Sequence, residues 1–86
     1  MSLYEVKLMP QAQKDLDDFS GKLLSRFEDV ILGLYDEPRS HNSKKLSGSV
    51  LRWRIRVGDY RILYEIDDSQ KIVKVYRIAH RKDVYR

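Results

Sequence analysis

Arg52, Arg54 and Arg56 alternate with Leu51, Trp53, Ile55 and Val57; Gly58-Asp59 follows, and Tyr60-Arg61 opens the next segment. A guanidinium group is planar and charged and carries five N–H donors, so a row of them suits phosphate or another polyanion. In an extended chain this alternation puts the apolar set on one side and the arginines on the other, about 7 Å apart at a rise of roughly 3.3 Å per residue. Like charges at that spacing repel by roughly 0.6 kcal/mol in water and about 2.4 kcal/mol at an effective dielectric of 20. The arginine side must therefore stay wet in the free protein. Burial of Trp53, Ile55 and Val57, on the order of 2 kcal/mol each, offsets the repulsion.

Gly58-Asp59 reads as a two-residue hairpin turn, and that sets a register. Val57 then opposes Tyr60, Arg56 opposes Arg61, Ile55 opposes Ile62, Arg54 opposes Leu63, Trp53 opposes Tyr64 and Arg52 opposes Glu65. Arg52 thereby gains a carboxylate partner, a structural role. Arg56 and Arg61 face each other, an unfavourable pairing, and Arg54 meets only Leu63. These three are the candidate functional arginines. Trp53 and Tyr64 form an aromatic pair on the opposite side and are assigned to the core rather than to base stacking.

A second basic cluster, His80-Arg81-Lys82-Asp83-Val84-Tyr85-Arg86, follows the last predicted strand directly and is expected to return to the rim that carries Arg54, Arg56 and Arg61. Histidine ordinarily titrates near neutrality, so His80 is either a structural residue or an acid–base group. Tyrosine titrates near 10, and dense positive charge favours its phenolate, which makes Tyr85 a candidate base or a stacking platform. A third basic element is the pair Lys44-Lys45.

The chain has 86 residues, enough for one small domain spanning 1–86. It lacks cysteine and has two histidines, His41 and His80, which excludes a disulfide framework and argues against a metal site. Any catalysis is expected to be free of metal and cofactor. No apolar run approaches a membrane span and no secretory signal is legible, so a cytoplasmic protein is expected. The formal charge of +4 is unevenly spread: residues 1–43 carry five Lys or Arg against eight Asp or Glu, whereas 44–86 carry twelve against five. That segregation, net −3 followed by net +7, points to one positive face.

The elements that must position these residues are legible from spacing. Tyr4, Val6 and Leu8 alternate in a first strand ended by Met9-Pro10, and Pro10 suits a helix start. Ala12, Leu16 and Phe19 mark one helix. Leu23, Leu24, Phe27, Val30, Ile31, Leu34 and Tyr35 mark a second after Ser20-Gly21, stopped by Glu37-Pro38. Arg39 to Ser49 reads as a mobile loop. Strands follow at roughly 51–57, 60–67 and 71–80; the last is apolar on both sides between Ile72 and Ile78, so alternation leaves the facing of Tyr76 open. The order β-α-α-β-β-β implies an α+β fold, a small, mostly antiparallel sheet with an N-terminal helical hairpin on one face and the other face left for function.

Three stretches together resemble the RelE branch of the RelE/ParE toxin superfamily: Lys45-Leu46-Ser47-Gly48; Trp53-Arg54-Ile55-Arg56-Val57-Gly58-Asp59-Tyr60-Arg61-Ile62-Leu63-Tyr64; and Arg77-Ile78-Ala79-His80-Arg81-Lys82-Asp83-Val84-Tyr85. The resemblance covers nearly the whole chain. It implies the toxin of a type II toxin–antitoxin pair, a ribosome-dependent, metal-free endoribonuclease that cuts messenger RNA in the ribosomal A site through attack of a 2′-hydroxyl on the adjacent phosphate. Carried over by position, Arg54, Arg56 and Arg61 would hold the scissile phosphate, Arg81 would stabilise or protonate the leaving group, and Tyr85 would stack on or deprotonate the nucleotide. Lys44, Lys45 and Arg52 would bind RNA.

Well-studied members can carry lysines where this chain has Arg54 and Arg56, and an arginine does not serve as a base. The base candidates are then Tyr85, His80 and, last, Lys44 or Lys45. A C-terminal helix beyond Arg86, present in some relatives, is not expected. The implied partners are an acidic, partly disordered antitoxin, the ribosome and mRNA, with no membrane and no direct DNA binding. The alternatives are a ParE-like toxin that inhibits DNA gyrase by protein binding and a nuclease-dead relative that only binds an antitoxin.

Overall fold

The computed structural model describes residues 3–48 and 51–84. The chain runs β1 (Glu5–Leu8), α1 (Pro10–Asp17), α2 (Gly21–Gly33), β2 (Ser43–Lys45), β3 (Arg52–Val57), β4 (Tyr60–Asp67), β5 (Ile72–His80) and α3 (Arg81–Val84). The five strands form one sheet in the order β1-β5-β4-β3-β2. Every pair is antiparallel except β1 with β5, which run parallel. The α+β architecture expected from the sequence is the one found.

Local chemistry accounts for the helical hairpin. Pro10 occupies the first turn of α1, where its missing N–H is no loss, and Met9 enters it in an extended conformation. The chain leaves α1 at Asp18 and enters α2 through extended Ser20 and Gly21, whose φ of +64° suits glycine. Ala12 and Leu16 from α1, Phe27 and Ile31 from α2 and Leu34 just after it are buried against Ile55, Val57, Ile62, Tyr64, Ile66, Val73, Val75 and Ile78 of the sheet. Phe19, Phe27 and Tyr60 pack edge to face at 4.8–5.7 Å between centroids. Both helices lie on this one face of the sheet.

All six predicted partners across β3 and β4 are present, from Val57 with Tyr60 to Arg52 with Glu65. The turn between them has Gly58 at φ +60° and no positive φ at Asp59, the pattern of a type II′ turn whose twist matches the strands. Tyr64 is fully buried and its hydroxyl donates to the Pro38 carbonyl at 2.6 Å; burial pushes this phenol up to about 12. Trp53 packs against the core, as expected, from its edge. It is half-buried at the margin, with the Arg39 guanidinium 5.4 Å from its ring centroid. Arg39 is in turn held by Asp68 at 2.7 Å. Leu51, expected on the buried side, is exposed.

The stretch read as a mobile loop contains β2. Ser43–Lys45 pairs with Ile55, Arg54 and Trp53, and Leu46 N–H adds a bond to the Arg52 carbonyl. Three polar residues carry no hydrophobic alternation, and an edge strand needs only one ladder, so nothing in the pattern revealed it. Its lysines also blunt the open edge.

A β-bulge resolves the last strand. Between Leu63 and Tyr64 the register against β5 shifts, so that Leu63 faces Arg77 but Tyr64 faces Val75. Tyr76 is the extra residue. The shift lets Val73 and Val75 point into the core and then Ile78 do so as well, a spacing that strict alternation forbids. Asp15 of α1 fastens this point: its Oδ2 accepts the Ile78 N–H at 2.8 Å and lies 3.2 Å from Arg77 Nε, and its Oδ1 accepts from Gln11 at 2.9 Å. Asp15→Ala leaves the buried Ile78 N–H without this acceptor, and urea unfolding is expected to show a loss of about 2 to 3 kcal/mol. Asp15→Asn, which keeps an acceptor, should lose less; equal stability of all three proteins would contradict this role.

Candidate phosphate-binding site

Pairing across three strands assembles the opposite face. Arg52, Arg54 and Arg56 project from β3; Lys44 pairs with Arg54 from β2; Arg61 pairs with Arg56 from β4. Together with Lys45, Leu46, Ser47, Leu63 and Tyr76 they line a cleft of about 660 Å³. Six of the lining residues are cationic and none is acidic, so the cleft concentrates positive potential. Arg61 is its deepest cation at 4% exposure, with Leu63 and Ala79 also buried on this side.

Arg81 joins the site through the backbone. Its N–H donates to the Asp59 carbonyl at 2.8 Å, which docks the start of α3 on the β3–β4 turn. Arg56, Gly58, Arg61 and Arg81 then enclose a recess of about 100 Å³ next to the cleft. Three guanidinium groups around so small a space make a receptor for a tetrahedral anion, because each offers several charge-assisted N–H donors. Of the expected site residues, Arg54, Arg56, Arg61, Lys44, Lys45 and Arg52 line the cleft and Arg81 closes the recess. Arg52 also keeps its predicted partner, with Nε 3.2 Å from Glu65 Oε2.

His80 does not return to this rim. It pairs with Tyr60 on the helix-covered side, with ring centroids 5.2 Å apart, and its Nδ1 accepts the Lys82 N–H at 3.2 Å, capping α3. Strand parity explains the correction: Ala79, opposite Arg61, takes the arginine face, so His80 must take the other. Tyr85 lies outside the described residues. Tyr76 is the residue that alternation could not place; the bulge turns it into the cleft, where the Arg52 guanidinium carbon sits 5.1 Å from its ring centroid. Burial raises the Tyr76 phenol above its ordinary value, which disfavours the phenolate. Among the described residues no three His, Asp or Glu side chains converge as metal ligands would. No helix among them is long and apolar enough to cross a membrane.

A family model described as the ParE toxin of the type II toxin–antitoxin system parDE matches residues 6–85. The chain belongs to the RelE/ParE toxin superfamily. Its relatives include Toxin RelG of Mycobacterium tuberculosis, 32% identical over 87 residues, an alignment covering 96% of this chain and 97% of the relative. An archaeal RelE–RelB complex from Pyrococcus horikoshii contains a chain of 28% identity and TM-score 0.79, with 92% of this chain and 96% of that one covered. The RelBE2 toxin–antitoxin complex of M. tuberculosis gives 29% identity and a TM-score of 0.77 over 90% and 96%. This RelE-like chain is thus a toxin of type II toxin–antitoxin systems.

Crowding like charge on one face of the toxin has a measurable cost. Arg56→Gln, which removes one member of the opposed Arg56–Arg61 pair, is expected to raise stability by a few tenths to about 1 kcal/mol at low salt. That gain should fade toward 1 M salt, where screening acts within about 3 Å. A lower melting temperature of the variant at low salt would contradict the account.

Proposed function

We propose that this toxin is a ribosome-dependent endoribonuclease that cuts messenger RNA in the A site without a metal ion. The observation that carries the reading is the recess of Arg56, Arg61 and Arg81 beside a cleft whose charged lining is all cationic. In the reaction, the 2′-oxygen of one ribose bonds to the adjacent phosphorus and the bond from phosphorus to the 5′-oxygen breaks. The products are a 2′,3′-cyclic phosphate and a 5′-hydroxyl. The 2′-hydroxyl must lose a proton, the leaving oxygen must gain one, and the phosphorane between them carries extra negative charge. Arg54, Arg56 and Arg61 hold the scissile phosphate and stabilise that charge; Arg81 serves the leaving oxygen. Guanidinium groups held in place before reaction suit this task, as preorganised donors for developing charge are worth about 10²- to 10³-fold each.

The 2′-hydroxyl proton goes to Tyr85 in this proposal. The placement of His80 beside Tyr60 supports passing over it, and raised Tyr76 is a poor acceptor. Lys44, Lys45 and Arg52 bind the RNA backbone along the cleft. Dependence on the ribosome is part of this proposal, and the solved complexes of RelE-like chains with RelB support a cognate antitoxin as partner, here proposed to cover the cationic face in the cytoplasm. Coupled folding of an acidic antitoxin segment on that face would silence the toxin.

A second reading, inhibition of DNA gyrase by protein binding, is favoured by the ParE description of the family model. The two separate cleanly. Purified toxin is expected to cut mRNA only with ribosomes present, Arg61→Ala to lose at least 10²-fold, and Tyr85→Phe to lose most activity. Equal cleavage of naked RNA, or full activity in both variants, would overturn the ribonuclease reading. Double-strand DNA breaks with intact translation on expression would support the gyrase reading instead.

A further inference from the structure

The bulge places an aromatic ring where phosphate chemistry alone does not require one. Tyr76 is half-buried in the cleft, beside Leu63 and close to Arg52, while Val75 and Ile78 on either side of the bulge fill the core. Its ring is thus not part of the packing under the helices. Along β4, Leu63 is two residues from Arg61, and Tyr76 sits one strand over from Leu63. Two to three residues of rise along β4 and one strand spacing put the two backbones about 8 to 10 Å apart, within reach of a nucleotide next to the phosphate. A phosphate held at Arg61 therefore brings a neighbouring base to Tyr76.

We propose that Tyr76, backed by the Arg52–Glu65 pair, is a stacking platform for one nucleobase of the RNA strand, on a nucleotide flanking the phosphate held by Arg56, Arg61 and Arg81. The subsite rests on the ribonuclease reading and extends it from phosphate to base. Aromatic rings and guanidinium planes both stack on unpaired bases, and stacking tolerates all four because each has a π face. The salt bridge to Glu65 holds Arg52 against the ring in the free protein, so the guanidinium steadies the platform before RNA arrives. The neutral phenol keeps the platform uncharged, leaving the backbone attraction to the surrounding cations.

The test is single-turnover cleavage of mRNA on programmed ribosomes by wild type, Tyr76→Leu and Tyr76→Phe, each with intact mRNA and with mRNA abasic at the nucleotide on either side of the cut. Tyr76→Leu should weaken half-saturation or slow cleavage by about 5- to 100-fold, and Tyr76→Phe, which keeps the ring, should restore it. One abasic position should impair wild type by a similar factor and Tyr76→Leu little further. Cleavage by Tyr76→Leu at the wild-type level, or no abasic penalty in wild type at either position, would overturn the platform while leaving the ribonuclease reading intact. If Tyr76→Leu fails to fold, Tyr76→Met takes its place in the same comparison. Failure of wild type to cut any mRNA would overturn both.

Discussion

The pairing of β3 with β4 through the Gly58-Asp59 turn is the constraint on which the rest of the molecule depends. The turn fixes which residues oppose each other, and with a period of two that choice decides the content of both faces at once. One face receives Ile55, Val57, Ile62 and Tyr64, all buried. The other receives Arg52, Arg54, Arg56 and Arg61. At on the order of 2 kcal/mol for each buried apolar side chain, the core side outweighs the repulsion it forces on the other. A one-residue slip would move the arginines under the helices, so the charged face is locked in place by the core. The turn also supplies the Asp59 carbonyl that docks Arg81.

The second device is the bulge in β5 and its fastening by Asp15. The carboxylate couples α1 to the strand where the parity of β5 changes, so the helix layer takes part in shaping a cleft on the far side of the sheet. Tyr76 faces the cleft because of that change, and Ile78 returns to the core. Helices that bury Leu16 and Phe27 thereby also orient the ring proposed to meet a nucleobase.

Strong patterns were legible and weak ones were not. The register of Arg52 to Glu65 was readable because a glycine-first turn and two alternating strands agree with each other. Ser43–Lys45 is not readable as a strand because three polar residues at an edge carry no period. The facing of His80 and Tyr76 depends on the bulge, and Ile72–Ile78 has apolar residues on both sides, so the residue count alone could not tell where parity breaks. Continuity with the last strand brings Arg81 to the rim, and a backbone hydrogen bond that no side-chain pattern announces holds it there.

The proposed ribonuclease reading rests on three arginines that backbone geometry brings around one recess, where they would serve a phosphate attacked by its own ribose. The most direct test replaces the single ribose at the mapped cut by 2′-deoxyribose in an mRNA presented on ribosomes. Cleavage at that linkage should be lost, and the all-ribose cut should end in a 5′-hydroxyl and a cyclic phosphate. Cleavage that persists across the 2′-deoxy linkage would contradict the reading.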